Sequence, residues 1–230
     1  HFKKGDYASA ATQFVTLLED YPESRFLASM HFQAGESQLQ LKQVEKAQGH
    51  FTKAVGIEGS PQSLVESITM RLAETQALTG QHSDAATSYQ TFLEKFPDSR
   101  WTRNAQFGFA FATENGGDPE TALAEYSKIL DEPKTDLWTV RSRFQTGSCQ
   151  AALEKNNQAV IEFVKVEISY PQYPQWQAQA VLQIGKILLG QDKPEQAKER
   201  FLEVLSRFAE EEAATAAKEL LESMRAPEGN

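Results

Sequence analysis

Four histidines (His1, His31, His50, His82), one cysteine (Cys149) and 32 carboxylates are the side chains of this 230-residue chain that most readily ligate a metal, and among them are candidate acid–base and nucleophilic groups. No histidine has a second one four residues on, and no cysteine or carboxylate cluster stands at metal-ligand spacing. His82 falls where an earlier turn carries Tyr7, which makes it a packing substitute. Cys149 stands beside Gly147 in helix-like sequence and reads as a small core residue rather than a nucleophile. The segment Glu114-Asn115-Gly116-Gly117-Asp118 follows a helical run and lacks a phosphate-cradling glycine pattern, so it reads as a turn. No carboxylate pair is singled out for acid–base work. The expectation is a protein that is not an enzyme, with no catalytic residue, no metal and no cofactor.

Composition narrows the remaining classes. A net charge of −9 argues against nucleic acid, whose phosphates need a basic face. Mean hydropathy is −0.51, and no apolar run approaches the roughly 20 residues that span a bilayer. A single cysteine excludes an internal disulfide and leaves the redox compartment open.

The elements that would position any site show themselves through repetition. A small residue precedes an aromatic by four positions six times: Ala10–Phe14, Ala47–Phe51, Ala85–Tyr89, Ala122–Tyr126, Ala159–Phe163 and Ala197–Phe201. Successive alanines are 37, 38, 37, 37 and 38 residues apart. A second small residue lies 12 positions before each alanine except the first: Gly35, Ala73, Ala110, Gly147 and Gly185. The constant interval joins two helices across a short turn, and the longer interval absorbs the extra residue. Small residues let the two backbones approach while the aromatic fills the space beside the contact. Such hairpins must stack to bury their apolar faces.

Between hairpins the chain writes similar corners, Tyr21-Pro22-Glu23-Ser24 and Phe96-Pro97-Asp98-Ser99, with Tyr170-Pro171 a weaker copy. Proline stops one helix, and Ser99 is suited to cap the next. An aromatic line closes the corners: nine residues before each small residue stand Phe26, Leu64, Trp101, Trp138 and Trp176. Each ring is either a wedge against the preceding hairpin, the favoured reading, or a rung of an exposed ladder for a partner.

Small at position 8, alanine at 20, aromatic at 24 and proline at 32 resemble the tetratricopeptide repeat, most closely in GDYASAATQFVTLLEDYP, residues 5 to 22. Gly59, Lys134 and Ala209 depart from the proline position, and Gln38, Gln76, Thr113, Gln150 and Leu188 replace the usual tyrosine at position 11. The resemblance implies an all-α, right-handed solenoid: a half-repeat at 1–24, then repeats at about 25–61, 62–99, 100–135, 136–173 and 174–209. A polar capping helix at 210–225 and a disordered tail at 226–230 are expected to follow. His1 would stand at the end of a missing first helix, so the chain reads as a fragment of a longer array.

In that architecture the first helix of each hairpin lines a groove. Its facing positions carry Phe32, Met70, Phe107, Phe144 and Leu182, with Glu36, Glu74, Phe111, Ser148 and Lys186 farther along. This apolar stripe is either open to a peptide or helix, or covered by neighbouring helices. Phe107 and Phe111 are the best candidate anchors. Phenylalanines at 107, 111 and 144 stand where chaperone-tail clamps place Lys and Asn, which excludes that clamp.

The period and the corner also resemble the Gram-negative envelope subfamily of the YbgF/CpoB (Tol-Pal-associated) and BamD types. That resemblance implies a periplasmic or envelope-associated scaffold for a protein or peptide partner, with a cytoplasmic location as the alternative. A second reading is a regulatory or substrate-recruiting module of a larger enzyme. A third is self-association through the open N-terminal edge.

Overall fold

In the computed structural model, residues 5–224 are described, and they form twelve α-helices with no strand among them. The expectations for His1 and for the tail at 226–230 lie outside the described residues. The chain divides into two compact units, His1–Gly117 and Asp118–Asn230. The boundary falls in the turn of the repeat expected at 100–135. The first unit holds α1 (Tyr7–Asp20), α2 (Leu27–Gln40), α3 (Val44–Val55), α4 (Gln62–Leu78), α5 (His82–Lys95) and α6 (Thr102–Asn115). The second holds α7 (Pro119–Leu130), α8 (Leu137–Ala152), α9 (Asn156–Ser169), α10 (Pro174–Gly190), α11 (Pro194–Arg207) and α12 (Glu212–Ser223).

The constant 12-residue interval has a backbone cause. Hairpins α2–α3, α4–α5, α8–α9 and α10–α11 each turn within three residues. The middle residue of each turn, Lys42, Gly80, Glu154 or Asp192, has a positive φ of 57° to 75°. The next amide reaches back five residues: Gln43 to the Gln38 carbonyl at 2.9 Å, Gln81 to Gln76 at 2.9 Å, Lys155 to Gln150 at 2.8 Å and Lys193 to Leu188 at 3.0 Å. This six-to-one closure satisfies a carbonyl that the helix end would leave unpaired and aims the chain straight into the next helix.

The corner is equally regular. Tyr21, Phe96 and Tyr170 leave their helices at φ −132°, −132° and −130° with ψ 60°, 57° and 58°. Their carbonyls accept from the amides of Ser24, Ser99 and Tyr173 at 3.1, 3.1 and 3.0 Å. Ser99 departs from its expected role. Helix α6 starts three residues later, at Thr102, because the chain first makes a tighter turn in which the Thr102 amide bonds the Ser99 carbonyl at 3.1 Å. Ser99 Oγ accepts the Trp101 amide at 3.0 Å, while its hydroxyl donates to Glu66. Phe208 repeats the corner without a proline, since the Glu211 amide bonds its carbonyl at 3.0 Å.

Packing follows the small–aromatic frame. An added Cβ would lie 2.6 Å from the Phe51 ring at Gly35, 2.8 Å from Phe163 at Gly147 and 2.4 Å from Phe201 at Gly185. Ala47, Ala85, Ala122, Ala159 and Ala197 are fully buried. Tyr89 instead meets Gly108 on α6, where an added Cβ would come within 2.4 Å of the ring. Helix α12 presses Ala213, Ala217 and Leu221 into the cluster that holds Phe201, Val204 and Phe208, and so covers the last hairpin.

Candidate protein-binding site

The expected stripe is mostly covered. Met70, Phe107, Phe144 and Leu182 are buried, so the reading of these four as an open groove surface is corrected. Met70 joins the cluster of Tyr89, Phe92 and Ala105, with Trp101 packed on it. Phe144 is flanked by Phe163 and Trp176, each with ring centroids at 5.2 Å. Leu182 lies in the cluster capped by α12. Phe111 is half-buried and stacks on Phe107 at 5.8 Å. Phe32 is half-buried, with its ring 5.9 Å from that of Phe51.

The aromatic line is a set of wedges at two positions. Trp101 packs in the cluster of Phe92 and Phe96, and Trp176 packs onto Phe144 of the preceding hairpin. Trp138 is half-buried beneath the Arg141 guanidinium at 5.1 Å. Arginine also covers the ring at two corners, Arg25 over Phe26 and Arg100 over Trp101, each at 4.7 Å. This attraction between a cation and the negative face of the ring shields apolar surface that the corner leaves outside. Phe26 departs from the wedge pattern, being 56% exposed.

One cavity opens on a surface shared by α2, α4 and α6 in the first unit. It measures about 250 Å³ and is lined by Phe32, Ser67, Met70, Arg71, Glu74, Trp101 and Asn104. Arg71 organises it. Its Nε lies 2.8 Å from Glu36 Oε1 and its Nη1 2.7 Å from Glu74 Oε2. Burial opposes the charged guanidinium, but hydrogen bonds and charge from Glu74 and Glu36 outweigh it and raise the arginine pKa above its ordinary value. Asn104 Nδ2 donates to Glu74 Oε1 at 3.4 Å, a second contact on that carboxylate. Two carboxylates against one guanidinium leave the group one unit negative, beside the rings of Phe32 and Trp101. Phe32, Met70 and Trp101 form its apolar wall, and Ser67, Arg71, Glu74 and Asn104 make the rest of the lining polar.

Ser67, Arg71 and Asn104 were not singled out by sequence reasoning, although the step that finds two of them is simple. Ser67 and Asn104 each stand three residues before a groove position, Met70 and Phe107, and therefore one turn back on the same face. A smaller observation belongs to the second unit, where Trp176, Gln175, Gln179, Glu211, Glu212 and Ala213 line a cavity of about 270 Å³. Among the described residues, no group of three or more His, Cys, Asp or Glu is placed to hold a metal ion. No described helix is long and apolar enough to cross a membrane.

Residues 1–62 and 70–99 match family models of the tetratricopeptide repeat. Comparison with curated proteins gives no match. Among solved structures, the chain is similar to YrrB, described as a tetratricopeptide repeat protein with an unusual peptide-binding site, at 18% identity and TM-score 0.57; the match covers 91% of this chain and all of that one. It is similar to the apo quorum sensor NprR of B. thuringiensis at 17% identity and TM-score 0.72, covering 97% of this chain and 66% of that one. A tetratricopeptide repeat protein from Parabacteroides merdae aligns at 16% identity and TM-score 0.63, covering 96% and 93%. The fold is thus an all-α repeat solenoid of tetratricopeptide type.

Proposed function

We propose that the chain is a non-catalytic scaffold that holds a segment of a protein partner against α2, α4 and α6. The observation that carries this reading is the cavity around Arg71. A partner side chain can enter between Phe32 and Trp101 while Asn104, Ser67 and Arg71 meet its backbone. The peptide-binding site described for YrrB, a protein of similar fold, supports the idea that such repeats can bind a peptide. Affinity capture from native lysate tests it, comparing the chain with Ser67→Trp, which fills the cavity without removing a core side chain. Partners retained by the parent and lost by this variant, with helicity unchanged, support the site. Partners retained equally by both place binding elsewhere.

The resemblance of the corners Tyr21-Pro22-Glu23-Ser24 and Phe96-Pro97-Asp98-Ser99 to the envelope subfamily favours a role in a bacterial cell-envelope process, with the protein periplasmic or envelope-associated and a cytoplasmic location as the alternative. Fractionation of cells expressing the whole gene product tests the envelope location, and recovery from the cytosol rejects it. The second reading, a recruiting module of a larger enzyme, is favoured if the whole gene product carries a catalytic domain. Self-association through the α1 edge predicts a dimer in sedimentation experiments, and a monomer at all concentrations rejects it.

A further inference from the structure

We propose that His31 and His50 form a binding site for a divalent transition-metal ion of the zinc type. The pair spans the α2–α3 hairpin, and it escapes a search for ligands on one helix because the two residues are 19 positions apart across a turn. Their Nδ1 atoms lie 3.1 Å apart, and the ring planes meet at 45°. An imidazole nitrogen binds zinc at about 2.0–2.1 Å, so one ion touching both nitrogens would subtend an angle of about 100°, close to tetrahedral. The rings face a cavity of about 390 Å³ that leaves room for water as the remaining ligands.

The protonation state suits a ligand pair. Burial, with the charges of His50 and Lys53, lowers the His31 pKa to about 4. Burial and Lys53 also lower that of His50. Both shifts favour the neutral ring, the state that coordinates metal. With no ion bound, the Nδ1 contact needs one ring to donate and the other to accept. When an ion enters, the donor ring's proton moves from Nδ1 to Nε2, both lone pairs turn to the metal, and no imidazole proton is lost.

The charges around the pair come from two elements. Glu19 of α1 lines the cavity and favours a cation, whereas Lys53 of α3 opposes it. Lys53 is exposed on a flexible stem and can withdraw into solvent. Two imidazoles with water suit zinc, nickel or copper and do not suit magnesium or calcium, which take oxygen ligands.

Calorimetric titration of the whole chain with zinc sulfate at pH 7 tests the site. One ion should bind. His31→Gln and His50→Gln should each weaken binding by at least the roughly 10–100-fold that follows loss of a ligand's supporting partner. His1→Gln and His82→Gln should leave it unchanged. Imidazole NMR of the parent chain gives an answer even if a variant unfolds, since zinc must move the His31 and His50 resonances and spare those of His82. Absence of saturable binding, full affinity in either His31→Gln or His50→Gln, or loss through His1→Gln or His82→Gln would overturn the proposal.

Discussion

Gly147 and Phe163 meet so closely across the α8–α9 hairpin that a Cβ on the glycine would lie 2.8 Å from the ring. The same relationship joins Gly185 to Phe201 and Gly35 to Phe51, so the aromatic of the second helix sits on the small residue of the first. Helix propensity alone would make Gly147→Ala stabilising by about 1 kcal/mol. The clash reverses that sign. Gly147→Ala and the larger Ala122→Leu are expected to destabilise by about 1–3 kcal/mol in urea unfolding. Gly49, inside α3 with nothing near its missing Cβ, is the control, and Gly49→Ala should stabilise by about 0.5–1 kcal/mol.

The hairpin turns make a second prediction. Lys42 and Glu154 both hold φ 59°, a region in which a side chain collides with its own backbone. Glycine removes that strain but gains freedom in the unfolded chain. The net expectation for Lys42→Gly or Glu154→Gly is a gain of about 0.5–1 kcal/mol by the same denaturant measurement. A loss in both would mean that the turn is not under strain.

The corners separate proline from serine. The corner at Phe208 keeps its hydrogen bond with Ala209 in the proline position, so proline is a convenience there. Pro97→Ala is expected to cost less than about 1 kcal/mol. Ser99→Ala removes the acceptor of the Trp101 amide and the donor to Glu66, and should cost about 1–2 kcal/mol. Thermal denaturation of the two variants side by side decides the order.

Stability should also depend on pH through His31. Its imidazole protonates near 6.5 when unfolded and at about 4 when folded. Between those values the unfolded chain holds more protons, so lowering the pH favours unfolding. The stabilising contribution is complete above pH 6.5 and is lost as pH falls toward 4. Because the ring is only half-buried, solvent screening makes the loss smaller than the full shift would give. Unfolding curves at pH 7 and pH 5 should converge in His31→Gln relative to the parent.

The repeat was legible in the sequence because each of its devices leaves a residue at a fixed interval. The positive-φ residues at 42, 80, 117, 154 and 192 keep the period of the alanines, although only Gly80 and Gly117 announce themselves by type. Tyr89 was legible as an aromatic but not in its contact, because Gly108 lies on the next hairpin rather than its own. The site was less legible. Whether Phe107 or Phe144 faces solvent depends on how far neighbouring helices close over it, and periodicity carries no such distance. Arg71 was hidden because its importance lies in two carboxylates 35 and 3 residues away that converge only in three dimensions.

Photo-crosslinking in native lysate tests the binding account most directly. A photoreactive residue would replace Ser67 on the cavity wall in one protein and exposed Thr87 on α5 in another. The account predicts a discrete partner adduct from position 67, none from position 87, and its loss when Asn104→Arg is added beside the cavity. Equal adducts from both positions, or adducts from position 87 alone, would contradict it.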